Sequence, residues 1–362
     1  MTDDVDAQAS FAFEGNWRDY APIAFTNLLL TIVTLGVYRF WATTRTRRYL
    51  WSNTRFIDDW LEWTGTGKEL FVGFLMVLVL IGLPFLFLQF GAQALVLQGQ
   101  VALAGVLTIM AAFTIFYFTG VARFRALRYR LSRTWWHGIR GGSDDAGWGY
   151  GGQYMWRTMV AYLPFGLLIP WSMMSLWNRR MNRMSFGSEP FVARGRARPL
   201  MKRFLLFYLA PILFVLLAIA MADIYGGELG GGIRVTSSFP PILRIIAFLV
   251  IFLGVYTLLG LIALAYYAAF LREAIDNLSL GGLQFSFEAS TDDWLALFFG
   301  DVALVVCTLG IGAIFLQYRH WKFFITHMGA AGEIYTDELA QSRTRTDRHG
   351  EGLLDAFDVG AF

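Results

Sequence analysis

Two polar side chains stand inside apolar runs where an unpartnered polar group costs several kcal/mol. They are Asp301, nine residues before Gly310, and Asn27, nine residues before Gly36. An ionisable group so placed binds a cation or relays a proton. Equally, Asp301 caps a half-helix beginning at Val302, and Asn27 satisfies broken backbone. A second constellation is cationic. Trp41, Arg45, Arg48 and Tyr49 lie at i, i+4, i+7 and i+8, one face of a helix. Arg319, Lys322 and Phe323 repeat those offsets after Gly310. Such faces hold anionic head groups or an anionic solute; the plainer reading is topology-setting charge with an interfacial Trp.

No other chemistry has a spacing to support it. His137, His320, His327 and His349 form no metal-ligand motif, and nucleophile elbows, phosphate loops and dinucleotide fingerprints are missing. The one cysteine, Cys307, excludes an intramolecular disulfide and reads as a small buried hydrophobe. The expectation is therefore a non-enzymatic protein without metal, cofactor or nucleic-acid partner.

The elements that position these residues are set by composition. The chain has 362 residues, 56% hydrophobic and 16% charged, with a mean hydropathy of +0.49. Soluble domains carry about 25% charge. Residues 70 to 122 contain no charged side chain, and one bilayer crossing needs only ~20 apolar residues. The sequence is that of an integral membrane protein. Its first residues, Met1-Thr2-Asp3-Asp4-Val5-Asp6, are acidic and do not resemble a cleaved signal.

Three apolar segments break at a glycine: Thr34-Leu35-Gly36, Pro164-Phe165-Gly166 and Thr308-Leu309-Gly310. Phe13-Glu14 precedes Gly36 by the interval at which Phe287-Glu288 precedes Gly310, and Asn27 matches Asp301. Gly36 to Phe56 equals Gly166 to Phe186, and Trp41 matches Trp171. Agreement of several intervals indicates an internal repeat. The units are an acidic leader (1–8), a first unit of strand, broken segment and two spans (9–130), a second of broken segment and two spans (131–279), a truncated third (280–332) and a cytoplasmic tail (333–362). The Gly-rich stretches around 141–142, 149 and 230–232 read as loops.

Charge placement chooses the topology. If each broken segment crossed the bilayer, the eight Arg and Lys residues from Arg179 to Arg203 would be exported, against the positive-inside rule. If each dips in and returns, four spans remain, at 70–95, 101–121, 204–221 and 245–271. Both termini and every Arg-rich loop then face the cytoplasm. The expected fold is an all-α polytopic membrane protein with four transmembrane helices, three re-entrant or interfacial broken-helix segments and short cytoplasmic strands.

Phe13-Glu14-Gly15, Thr34-Leu35-Gly36-Val37-Tyr38-Arg39-Phe40-Trp41 and Arg47-Arg48-Tyr49, followed by Thr64-Gly65-Thr66-Gly67, resemble the YjgN-type family of bacterial inner-membrane proteins, as does the ending Gly350-Glu351-Gly352-Leu353-Leu354-Asp355-Ala356. The middle unit departs most, with Pro164-Phe165-Gly166 for Thr-Leu-Gly and Ser175 for the first arginine. The resemblance implies a multi-pass protein of the bacterial inner membrane, brings no activity, and suggests a membrane-peptidase partner. Repeated units, broken segments and Asp301 incline the expectation toward transport of a small or anionic solute. The alternative is a non-catalytic scaffold or regulator that binds anionic phospholipid and a membrane partner.

Overall fold

A computed structural model describes residues 10–225, 227–229, 233–235, 240–334 and 340–342. The acidic leader at 1–8, the Gly230 to Gly232 run and most of the tail lie outside the described residues.

The described residues open with β1 (Phe11–Phe13) and a helical pair, α1 (Trp17–Val33) and α2 (Arg39–Ser52). Asn16 starts α1 by accepting the Arg18 amide. Three short strands follow: β2 (Thr54–Phe56), β3 (Asp59–Trp60) and β4 (Glu62–Trp63). Thr66 and Glu69 then form a reciprocal capping box that starts α3 (Gly67–Val77). A π-helical turn at Leu78–Gly82 joins α3 to α4 (Leu83–Leu97), and α5 (Val101–Arg133) returns. That turn falls where Pro84, lacking an N–H, cannot bond the carbonyl four residues back. The expected first span is therefore an interrupted helix, whose apolar second part has 15 residues.

Next come β5 (Thr134–Trp136), β6 (Ile139–Gly142) and a second helical pair, α6 (Trp148–Tyr162) and α7 (Ile169–Met181). After β7 (Ser185–Phe186) and β8 (Glu189–Ala193), the chain passes through α8 (Met201–Phe204) into α9 (Ala210–Tyr225). The small hairpin β9 (Gly227–Leu229) and β10 (Ile233–Val235) leads to α10 (Pro241–Asp276). β11 (Leu278–Leu280), β12 (Leu283–Phe287), a third pair, α11 (Thr291–Cys307) and α12 (Leu316–His327), and β13 (Met328–Gly332) complete it. Among the described residues three stretches are long and apolar enough to cross a membrane: Val101–Arg133, Arg198–Leu217 and Ile245–Asp276.

The all-α expectation needs correction. An antiparallel sheet of eight strands runs in the order β13-β12-β11-β8-β7-β6-β5-β4, and β1-β2-β3 form a second sheet. Only Leu61 separates β3 from β4, so the two sheets are joined through one strand segment. Their far edges also meet, where the Ala330 amide donates to Ser10 Oγ at 2.6 Å. Tight two-residue turns close the hairpins, with a left-handed first residue at Ile57, His137, Gly187 and Gly281. Gly141 and Gly142 lie in β6 and Gly149 in α6, so neither region is the loop its composition suggests. Gly141 is required there, because a Cβ would meet Leu131 Cβ at 2.9 Å.

The curled sheet encloses aromatics rather than a channel. Phe11 stacks on Phe56 at 4.5 Å, Phe56 meets Trp136 at 5.0 Å and Phe285 at 6.5 Å. Trp136 is 2% exposed, and its indole N–H donates to the Phe56 carbonyl at 2.9 Å. Replacing Trp136 with Ala leaves a large void and an unfilled carbonyl. The W136A variant is expected to lose about 3–5 kcal/mol, read from reversible denaturant unfolding in detergent; a loss below about 1 kcal/mol would show that this cluster does not hold the sheet closed.

Candidate functional site

All three helical pairs are antiparallel hairpins that turn in the same way. Leu35 and Gly36, Phe165 and Gly166, and Leu309 and Gly310 are consecutive left-handed residues, the glycines at φ 89°, 87° and 93°. At the first tip Leu35 N–H bonds Ile32 O and Gly36 N–H bonds Thr31 O; at the third Leu309 N–H bonds Val306 O and Gly310 N–H bonds Val305 O. These are the two bonds of a Schellman helix ending. Glycine usually fills the left-handed position after the C-cap, yet Leu35 and Leu309 occupy it here. The tip side chains stand clear of the protein, with Leu35 95%, Phe165 93% and Leu309 94% exposed.

Each hairpin returns to its own base. Tyr49, near the end of α2, donates to the Asn16 carbonyl before α1 at 2.7 Å. In the third hairpin Trp294 meets Phe323 at 4.9 Å. The first two also run beside long apolar helices. Phe40 of α2 packs on Phe71 and Phe74 of α3, and a Cβ at Gly67 would meet the Trp41 backbone at 2.7 Å. Tyr154 of α6 lies on Phe116 of α5, at Gly120, where a Cβ would meet Tyr154 Cβ at 2.6 Å.

The cationic faces lie toward the bases and line clefts. Tyr38, Trp41, Thr44, Arg45, Arg48 and Lys68 enclose about 380 Å³. Arg45, Arg48 and Lys68 are exposed and make no ion pair or side-chain hydrogen bond among the described residues. A second cleft of about 530 Å³ is lined by Trp17, Phe315, Arg319, Lys322, Phe323 and Thr326. The sequence brought Trp41, Arg45 and Arg48 together, and separately Arg319 and Lys322. It missed Lys68, which arrives from the next helix, and Trp17, from the first hairpin.

Asp301 and Asn27 sit between the arms of their hairpins, each reaching across to the second arm. Asp301 lies well inside α11, so it caps no half-helix at Val302. Its carboxylate accepts from Arg319 Nε at 2.6 Å and pairs with His320 Nε2 at 2.6 Å. The Asn27 amide donates to Ala42 O and Thr46 Oγ1, each at 3.3 Å, so its partner is a helix carbonyl rather than the break. Its Oδ1 is buried without a partner. The middle hairpin holds Arg157 at the same distance before its glycine, with its guanidinium 5.5 Å from the Trp171 ring. The nine-residue spacing was the signal that could have found it. His327 accompanies the base of the third hairpin, 3.8 Å from Asp293. There hydrogen bonds from the Ser290 hydroxyl and amide hold the Asp293 carboxyl below the usual carboxylate range.

The family model described as "Bacterial protein of unknown function (DUF898)" matches residues 8–356. A protein called "Inner membrane protein YjgN" from Salmonella typhimurium is 25% identical over 132 residues, 35% of this chain and 33% of that one. Its namesake from Escherichia coli K12 is 29% identical over 131 residues, 36% and 30% of the two chains. The match thus spans about a third of these curated relatives. No solved structure matches.

Removing the Asp301 charge leaves Arg319 without its anion between the two arms. The D301N variant is expected to insert but lose about 1.5–3 kcal/mol, measured by thermal unfolding in detergent; an unchanged midpoint would mean that the pair does not close this hairpin. Ser290→Ala should cost about 1 kcal/mol. Because the folded Asp293 pKa is depressed, that part of the stability is present above the unfolded carboxylate pKa and fades as pH falls through the folded value. The two melting curves should therefore converge in acid; a gap independent of pH would assign the loss to the cap alone.

Proposed function

The chain belongs to the DUF898 family of bacterial proteins of unknown function, and on that premise we propose that it is an inner-membrane protein that binds anionic phospholipid as a non-catalytic scaffold. Its three hairpins dip into one leaflet as repeats of one design, and the basic clefts near their bases receive head groups. The observation that carries this reading is the pairing of a bare apolar tip with a cationic, Trp-lined base in the first and third hairpins. Leu35 precedes Arg45 by ten residues along the return arm, ~15 Å at the rise of a helix. Half of a hydrocarbon core ~30 Å thick is the same depth, so a tip near the midplane sets Arg45 among phosphates. α1 and α11 have 17 residues each, roughly 25 Å, short of a full crossing.

Packing supports the same placement. α6 runs beside the uncharged part of α5 nearest Arg123, and α2 beside the first turns of the apolar rod from α3. By the positive-inside rule the Arg-rich ends and the sheet face the cytoplasm, and the interrupted α3–α4 rod serves as the fourth crossing. Transport has less to support it, since Asp301 is taken up by Arg319 and His320 and the sheet interior is filled with rings.

The test is lipid retention by the purified protein in nanodiscs of phosphatidylcholine with a minor share of phosphatidylglycerol. Charge reversal at Arg45, Arg48 and Lys322 together should lower phosphatidylglycerol enrichment around the protein by on the order of tenfold or more, from ~1 kcal/mol per basic residue at an anionic surface. Equal enrichment in the triple variant would refute head-group binding. Solute flux through proteoliposomes that is lost in D301N would favour transport instead.

A further inference from the structure

A second cationic cluster lies away from the clefts, between α5, α6 and α7, and nothing in the lipid-cleft reading uses it. At its centre is Arg180, 6% exposed near the end of α7. Its Nε–H is sealed from solvent and has no acceptor among the described residues. The guanidinium lies 5.5 Å from the Trp177 ring. Burial pulls it below its ordinary value; the Tyr150 hydroxyl acts against that pull, and the charges of Arg130 and Arg123 add to it. No carboxylate is among the groups acting on it. Arg123, on α5, rests 5.2 Å from the Tyr154 ring, and its Nε–H is likewise buried without an acceptor. α5 and α6 meet closely, because Gly151 admits Val121, whose Cγ2 a Cβ would meet at 2.5 Å.

The acidic residues of the preceding loop are not among the groups that bear on Arg180. Asp145 accepts from the Gly147 amide at 2.8 Å and stands 3.9 Å from Arg183, and its carbonyl accepts from Arg128. Asp144 has a contact of its own, yet it is not among the groups that bear on Arg180.

An arginine does not escape burial by losing its proton, and an unpaired buried ion costs several kcal/mol even after relaxation. Arg180 is such an ion, and half-buried Arg123 adds a second guanidinium whose Nε–H is sealed without an acceptor among the described residues; together they call for an anion of more than one charge-accepting oxygen. We infer that Arg180 and Arg123, with Arg130 and the Tyr150 hydroxyl beside them, form a buried binding site for a phosphate oxyanion. Several N–H donors from different helices suit the spread oxygens of a phosphate or phosphodiester. The ligand is either the phosphate of a membrane lipid or a free phosphate group.

The test uses the full chain, purified in detergent and stripped of lipid. Two probes are added separately: inorganic phosphate, and phosphatidylglycerol in nanodiscs. Thermal midpoint and bound phosphorus per chain are read for the wild type, R180M, R180K and R123M. The wild type is expected to retain about one phosphorus per chain or to bind one on addition, with a rise in midpoint. R180M should lose this response, and R180K, which keeps the charge but not the fork, should weaken apparent affinity about tenfold or more. If R180M does not fold, R123M, at the less buried residue, gives the same comparison. A response to phosphatidylglycerol alone identifies a lipid phosphate, and a response to inorganic phosphate identifies a free one. The inference is overturned if neither probe binds or raises the midpoint, or if R180M and R123M respond like the wild type. Charge reversal at Arg45, Arg48 and Lys322 should leave this response intact, which separates this site from the clefts.

Discussion

A left-handed residue at the end of a helix decides the architecture of this chain. An L-residue in that conformation costs roughly 1–2 kcal/mol, and Leu35, Phe165 and Leu309 all adopt it. Each is also almost fully exposed, which in water would forgo a further ~1.5–3 kcal/mol of apolar burial. Three such positions fit the placement proposed above, in which the surroundings of each tip are themselves apolar. What the turn yields is direction. Having reversed the chain within a few residues, it brings both ends of each apolar segment to one side, and the arginines after the turn go with them.

The polar residue nine places before each glycine then meets the returning arm, with a different chemistry in each hairpin. Asn27 offers an amide to Thr46, Arg157 a cation to the face of Trp171, and Asp301 a carboxylate to Arg319 and His320. Thr46 and His320 are both ten residues past their glycine, so the contact is made at one height in the first and third hairpins. A buried polar group left alone is costly, and one tied to the opposite arm rigidifies the turn. The pair at Asp301 also holds Arg319 inside the hairpin, which leaves Lys322 as the exposed cation of that cleft.

Much of this was legible because it is local. Gly36, Gly166 and Gly310 mark the turns, and helical periodicity alone sets Trp41, Arg45 and Arg48 on one face. The sheet was not legible, since its strands run only two to five residues and most of its order comes from pairings between distant parts of the chain. Gly141 and Gly142 read as loop by composition, yet both lie in a strand, and at 141 the close approach of Leu131 and Ser185 makes glycine a packing requirement. Asp301 read equally as a cap or a relay because its partners lie eighteen and nineteen residues away, across a turn whose geometry the spacing suggests but does not fix. Lys68 and Arg180 escaped for the same reason: what matters about each is which neighbouring helix it faces.

The sheet explains how hairpins far apart in sequence keep fixed positions. Trp321 of the third hairpin stacks on Trp51 of the first at 4.0 Å and donates to Thr54 Oγ1 at 2.8 Å. Trp51 in turn donates to Thr134 Oγ1, at the end of α5, at 2.9 Å. Tyr318 reaches the Gly15 carbonyl at 2.8 Å. Interlocked rings with satisfied N–H groups have one low-energy arrangement, whereas alternating access needs two of comparable energy. A base this tightly keyed, with an interior already filled by Phe56, Trp136 and Phe285, is suited to holding the first and third hairpins at constant spacing. Any moving part has to be sought outside it, in the hairpin tips or the long apolar helices, where many large apolar side chains are exposed.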